Sequence, residues 1–367
     1  MVTKMAGSNY SLALSAITKK YEQTTVIDNI NLELKQGEFV SLLGPSGSGK
    51  TTLLRMIAGL ITPDKGSVLL RGEDISFTPP YLRNMGMVFQ QYALFPHMTV
   101  EENVAYGLKA RKLPKSEIKE RVAKYLQLVD LLHLSQRKPR ELSGGQQQRV
   151  SLARALAVEP VVLLFDEPLS NLDVRLKEQM LKEIRKLHRD LGFTAIYVTH
   201  DQNEALFLSD KIAVLNKGKI EQYASPEEIV KHPATAFVAD FFGFTNQLDY
   251  AVLVDERTAK IGDKTIPIGH HGAKIKPGDR GFLLLRLTAV NQIAFSSEHE
   301  EWLQAKILDS RYLGDQTELH VFVLDPVHQE ITIRLPHMLP SLPVENTLVE
   351  FEFSPEGICF YKGDQVS

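Results

Sequence analysis

Residues Glu38–Leu60, EFVSLLGPSGSGKTTLLRMIAGL, decide how the rest of the chain is read. Phe39 to Leu43 suits a buried strand, a glycine-rich turn follows, and a helix is expected from about Lys50. Within this stretch, Gly44-Pro45-Ser46-Gly47-Ser48-Gly49-Lys50-Thr51 satisfies G-x-x-x-x-G-K-[ST] at each fixed position. Glycines there open backbone conformations that a side chain forbids. The freed N–H groups can point inward at phosphate oxygens. The following helix turns its positive end to the same anion. Lys50 would reach the β- and γ-phosphates of a nucleoside triphosphate, and the Thr51 hydroxyl would ligate Mg²⁺. Thr52, next in the helix, completes the expected nucleotide-binding set.

The rest of the composition narrows the setting. With 367 residues, two or three domains are expected, and 43% apolar residues can fill a large core. Lys+Arg 42 nearly balances Asp+Glu 45, so no net field argues for nucleic acid. The single cysteine, Cys359, excludes an internal disulfide and fits a reducing compartment. No apolar run approaches the length of a membrane span, and the first residues lack an apolar signal core. A soluble cytoplasmic protein is expected, with any membrane role exercised through a partner.

Before the loop, SLALSAITKKY, TVIDNINLEL and EFVSLL alternate as strands do. Tyr21 precedes the turn Glu22-Gln23-Thr24, where its ring can stack on an adenine or simply pack at a strand end. After the loop's helix, SVLLRGEDI reads as one more strand. Gln90 closes the apolar strand Met87–Phe89; an amide there can ligate Mg²⁺ and contact an attacking water, or cap the strand. Tyr92, Leu94, Phe95, Pro96 and Met98 form an apolar loop, as suited to core as to docking. Helical periodicity from about Lys115 to His133 then interrupts the α/β pattern, so a helical subdomain is expected between about 91 and 158.

A second cradle lies in Leu142-Ser143-Gly144-Gly145-Gln146-Gln147-Gln148-Arg149. Ser143 suits an N-cap and Gln146 the third position of a capping box. Two glycines in the first turn weaken a helix, but they leave bare N–H groups at its positive end, a lysine-free anion site. The continuous apolar run Val161–Phe165 reads as a central parallel strand ending in Asp166-Glu167-Pro168. At that edge Asp166 can hold a Mg²⁺ shell and Glu167 can take a proton from water or orient it. Ser170-Asn171-Leu172-Asp173 opens the next helix, with Ser170 or Asn171 the expected N-cap. Thr194–Val198 is another strand, and His200 just beyond it can donate to a γ-phosphate.

Lys211–Gln222 reads as a hairpin around Asn216-Lys217-Gly218, and Glu227 to about Phe242 as a helical tail. From about Gly243 short strands and turns alternate, which indicates a separate small barrel or sandwich.

The ordered set of phosphate loop, LSGGQQQR, VVLLFDEP, SNLD and VTHD resembles the nucleotide-binding subunit of an ATP-binding-cassette transporter over about two thirds of the chain. The resemblance implies an α/β P-loop NTPase cassette over 9–242, with a mixed-sheet core, an antiparallel β subdomain and the helical subdomain. It implies an ATPase with ATP and Mg²⁺ as cofactors, and a homodimer with two ATP between head-to-tail copies. Tyr21 matches the adenine-stacking aromatic, Gln90 the loop that senses Mg²⁺ and the transmembrane partner, and Ser143, Gly144, Gly145 and Gln146 the signature that closes on the other copy's ATP. Glu167 matches the general base, Asp173 the residue that communicates across the dimer, and His200 the γ-phosphate switch.

Residues 243–367 resemble the oligonucleotide/oligosaccharide-fold-like extension of binding-protein-dependent importers, through Arg311-Tyr312-Leu313-Gly314-Asp315. Arg286-Leu287-Thr288 departs from the Arg-Pro-Glu step usual there, so a regulatory and a merely dimer-stabilising tail both stay open. Expected partners are permease subunits docking near Gln90–Gly107 and, indirectly, a solute-binding protein, with the chain peripheral on the cytoplasmic side of the membrane. Residues 79–108 look most like importers of polyamines, ferric iron or phosphonates. A soluble cassette ATPase acting on nucleic acid or ribosomes is the alternative.

Overall fold

A computed structural model describes residues 10–295, 302–324 and 326–363. The chain divides into two compact units, Met1–Pro226 and Glu227–Ser367.

In the first unit the alternating segments form a long antiparallel pair, β1 (Tyr10–Tyr21) and β2 (Thr24–Lys35). Their inward positions, among them Leu12, Leu14, Ile17, Ile30, Leu32 and Leu34, are buried. β3 (Phe39–Leu43) is buried at every position and leads through the glycine-rich loop into α1 (Lys50–Ala58). The stretch expected as a single strand after α1 is instead two, β4 (Lys65–Leu70) and β5 (Glu73–Asp74). Arg71 and Gly72 both take positive φ, 49° and 80°, and this two-residue turn folds β5 back antiparallel on β4. The small sheet runs β2-β1-β4-β5.

The chain continues through β6 (Met85–Val88), α2 (Val100–Ala110), α3 (Lys115–Leu128), α4 (Gly144–Ala157), β7 (Val162–Asp166), α5 (Val174–Leu191), β8 (Thr194–Thr199), α6 (Gln202–Leu208), β9 (Lys211–Asn216) and β10 (Lys219–Ala224). The main sheet has the order β10-β9-β3-β8-β7-β6. β9, β3, β8, β7 and β6 are parallel, and β10 closes the edge as the antiparallel arm of the expected hairpin. One core layer joins α1 and the small sheet to one side of the main sheet, with Leu53, Met56, Ile57 and Val68 buried beside Leu164 and Val198. The other joins the helices, with Val104, Leu126, Val150, Leu156 and Ile184 packed with Phe165 and Tyr197.

The second unit carries two short helices, α7 (Pro226–Lys231) and α8 (Ala236–Phe241), then strands. One sheet holds Asn246–Asp255, Thr258–Ile261, Lys264–Pro267, His270–His271, Arg280–Leu285 and Ile358–Lys362. The other holds Val290–Ala294, Leu303–Leu313, Gln316–Val323, Gln329–Leu335 and Leu348–Phe353. Leu248, Leu283 and Phe360 from the first pack with Ile307, Val321, Ile333 and Phe351 from the second in one core. Cys359 lies outside that core, in a smaller cluster with Ala239, Phe244, Phe282, Leu284 and Tyr361, as a buried free thiol pushed up to about 12 by its burial.

Candidate active site

The register of the parallel strands gathers the polar groups expected at strand ends. Leu43 lies beside Thr199, Phe165 beside Val88, and Asp166 beside Val198. Lys50's loop, His200, Asp166-Glu167 and Gln90 therefore all leave the same carboxyl edge of one sheet, where such sheets bind ligands.

In the loop, Gly44, Gly47 and Gly49 take φ of 154°, 81° and 103°. A Cβ on Gly44 would lie 2.2 Å from the Leu215 carbonyl oxygen, so the close approach of β9 requires glycine. A Cβ on Gly47 would meet nothing within 4 Å; its demand is conformational, on the open side of the loop. Pro45, Ser46 and Gly47 are exposed, whereas Thr51 and Thr52 are half-buried at the start of α1. Lys50 is only 5% exposed. Its ammonium donates to the carbonyls of Gly44 at 2.7 Å and Pro45 at 2.9 Å. Burial holds its pKa below the usual lysine range, with the Glu167 charge opposing. The Ser48 hydroxyl is buried with no hydrogen-bond partner among the described residues. An orphaned hydroxyl in an open cradle of glycines suits phosphate oxygens.

Glu167 leaves β7 in the left-handed region, φ 45°, and its N–H donates to Val198 at 3.1 Å. That bend turns its carboxylate to His200, with Oε2 3.4 Å from Nδ1. The Asp166 carboxyl is raised by burial, with Arg55 lowering it and Glu167 raising it further. Gln90 Nε2 donates to Ser170 Oγ at 3.1 Å, and Ser170 Oγ donates to the Glu167 carbonyl at 3.0 Å. Asn171 Nδ2 returns a bond to the Gln90 carbonyl at 3.2 Å. Ser170 and Asn171 are thus engaged elsewhere, and the helix cap they were expected to supply comes from Asp173, whose carboxylate accepts from Leu176 N–H at 3.0 Å. Among the described residues no group of three or more His, Cys, Asp or Glu side chains could hold a metal. A divalent ion would rest on mixed oxygens, for which the Asp166 carboxylate, the Thr51 hydroxyl and the Gln90 amide are hard donors.

The capping box expected at Ser143 and Gln146 forms. Ser143 Oγ accepts from Gln146 N–H at 3.4 Å, and Gln146 Oε1 accepts from Ser143 N–H at 2.9 Å. Gly145 has a packing reason that sequence reading did not find: a Cβ there would lie 2.8 Å from Leu176 Cδ1 on α5. A Cβ on Gly144 would sit 3.5 Å from the Tyr92 hydroxyl. Among the described residues no hydrogen bond or ion pair joins Ser143–Gln146 to Lys50 within one chain. Tyr21 stands 46% exposed at the β1–β2 turn, with the Lys19 ammonium 5.5 Å over its ring.

Sequence reading missed the support beneath His200. Lys177 pairs with Asp201 and Glu204, each at 2.6 Å, and Glu204 accepts from the buried Tyr197 hydroxyl at 2.7 Å. Asp201 also caps α6. The two carboxylates three residues apart after His200 were the available signal; nothing local pointed to Lys177 on α5.

Comparison with known proteins agrees with this geometry. The ABC transporter family model matches residues 27–170. The spermidine/putrescine import ATP-binding protein PotA of Oleidesulfovibrio alaskensis is 47% identical over 370 residues, 99% of this chain and 96% of that protein. The PotA of Thermobifida fusca is 54% identical over 242 residues, 65% of this chain and 63% of that protein. A solved dimeric ATP-binding cassette in a post-hydrolysis state, bound to ADP and Pi, is 35% identical, with 59% of this chain and 98% of that one covered and a TM-score of 0.52. With likeness at this level along nearly its whole length, the chain belongs to the ABC transporter family, as an ATP-binding subunit that hydrolyses ATP.

Proposed function

We propose that this ATPase drives uptake of a polyamine through separate membrane subunits. The observation that carries the catalytic part is the Glu167–His200 pair, held at the sheet edge that also bears Lys50. Glu167 orients a water and takes its proton as the water attacks the terminal phosphorus, the bond to the β,γ-bridging oxygen breaks so that ADP and phosphate leave, and His200 donates to the γ-phosphate. Lys50 turns from its own loop carbonyls to the β- and γ-phosphates. Thr51, Gln90 and Asp166 would hold Mg²⁺ through oxygen, and the ion would supply neutralisation of phosphate charge. Gly44–Thr52 wraps the phosphates and Tyr21 stacks on the adenine.

Two copies face head to tail, and Ser143, Gly144, Gly145 and Gln146 of each cover the nucleotide of the other. The absence of a lysine from that cradle and the dimeric relative support this reading. Asp173, at the start of α5, faces the other copy. The polyamine assignment follows relatives named for spermidine and putrescine import. Permease subunits dock near Gln90–Gly107, which places the chain peripherally on the cytoplasmic face, and a solute-binding protein acts through them. Among the described residues no helix is long and apolar enough to cross a membrane. Residues 9–242 form the working cassette, and 243–367 serve regulation or dimerisation.

Glu167→Gln is expected to cut kcat by about 10²-fold or more while KM for ATP changes little. Undiminished hydrolysis would remove Glu167 from the base role. The solute is tested by expressing the chain with its membrane subunits in cells lacking polyamine uptake. Uptake of labelled spermidine or putrescine is expected; uptake of iron or a phosphonate instead would replace the assignment.

A further inference from the structure

Two consecutive non-glycine residues, Tyr92 and Ala93, take positive φ, 58° and 47°. Such a pair persists only where its surroundings impose it. Here α4 imposes it. Ser151 Oγ donates to the Tyr92 carbonyl at 3.0 Å. Arg154, three residues on, donates Nη2 to the same carbonyl at 3.0 Å and Nη1 to the Ala93 carbonyl at 2.7 Å. Its guanidinium also lies 5.8 Å from the Phe95 ring centroid. Burial lowers its pKa, and charge-assisted bonds in such a setting are strong and directional. The planar fork suits two adjacent carbonyls, a task a lysine's single ammonium performs poorly.

The turn so held begins two residues after Gln90. Gln90 binds Ser170 and accepts from Asn171, and Ser170 binds the Glu167 carbonyl. The Tyr92 hydroxyl reaches the start of α4, where a Cβ on Gly144 would meet it. The turn itself touches the second cradle and the body of α4, and Gln90 just before it reaches the loop bearing Glu167.

We propose that Arg154 is a positioning residue for hydrolysis: by clamping Tyr92 and Ala93 in their left-handed turn, it makes Gln90 move with the helix that carries Ser143. This rests on the role proposed above for Gln90. Arg154 touches neither nucleotide nor water in this scheme, and acts through the main chain.

The test uses the purified full chain, with steady-state ATP hydrolysis and hydrogen exchange at the amides of Ala93 and Leu94. Arg154→Met should leave KM for ATP within about twofold, lower kcat about tenfold or more, and speed exchange at those amides. Arg154→Lys should fall between, and it carries the test should the Met variant not fold. A general packing defect would raise KM for ATP together with the fall in kcat and would not grade from Arg154→Lys to Arg154→Met. Unchanged exchange in the Arg154 variants, unchanged kcat, or a KM raised as much as kcat falls would each overturn the proposal. Gln90→Ala separates the two readings: full turnover there sinks the role of Gln90, whereas unchanged exchange in Arg154→Lys sinks the clamp.

Discussion

Gly145 owes its identity to a neighbour on another helix. A Cβ would crowd Leu176 at 2.8 Å from Cδ1 and 3.3 Å from Cδ2, so Gly145→Ala must push the start of α4 away from α5 or turn Leu176 from its rotamer. Helix propensity favours alanine by about 1 kcal/mol, so the crowding is expected to cancel that gain and leave a net loss of under about 1 kcal/mol, read as a urea midpoint no higher than the parent's at constant m-value. A raised midpoint would mean that Leu176 moves freely. In the second unit, His270 is lowered from 6.5 to about 4, first by burial, then by His232 and His271, with the Pro233 carbonyl opposing. The unfolded chain takes up this proton at higher pH than the folded one. Stability from this group is therefore full above pH 6.5 and is lost as pH falls from there towards about 4. His270→Gln should flatten the dependence of the unfolding midpoint across that window. A slope equal to that of the parent chain would assign it to other groups. Polar residues at strand ends were legible because they break apolar runs; the reason for Gly145 and the service of Arg154 were not, because their partners are distant in sequence.

At the scale of elements, α1 is anchored at both ends without a carboxylate. Gly49 opens it with φ 103°, and Gly59 closes it with φ 80°. Arg83, 2% exposed, donates Nη1 to the Met56 and Ile57 carbonyls at 2.9 and 2.8 Å. It also donates to the carbonyls of Thr78 at 2.7 Å and Ser76 at 3.0 Å, tying the end of α1 to the chain before β6. Arg83→Met leaves those acceptors dry, and a loss of about 3 kcal/mol is expected in urea unfolding. A loss under about 1 kcal/mol would mean that water replaces the guanidinium. The strands of the first unit were readable from alternation and apolar runs, and the helices from their period. The β4–β5 hairpin was not, because Arg71 beside Gly72 gives a weaker turn signal than Asn-Gly or Asp-Gly. The α5 cap moved to Asp173 because Gln90, remote in sequence, and the nearby Glu167 carbonyl claim Ser170.

For the whole molecule, the cassette was legible as an ordered series of motifs, each at the end of a strand or the start of a helix. The second unit was legible only as short strands with turns. Asn246–Asp255, whose tenth residue completes a long strand, lacks the turn-bounded alternation that marked its neighbours, and barrel and sandwich could not be separated until two sheets were seen around one core. At this scale the proposed pairing of copies is open to a direct test. With ATP and Mg²⁺, Glu167→Gln should elute as a dimer in size-exclusion chromatography. Adding Ser143→Arg should return it to monomer while each chain still binds nucleotide. A dimer that survives the arginine would place the second cradle away from the contact between copies.

The ammonium of Lys50 already rests on two oxygens of the loop that bears it, those of Gly44 and Pro45. Under the proposed function an arriving nucleotide would swap one set of oxygens for another, and its spent remainder could depart because the same main chain stands ready to take the cation back. Such a self-closing socket would favour repeated cycles over tight retention.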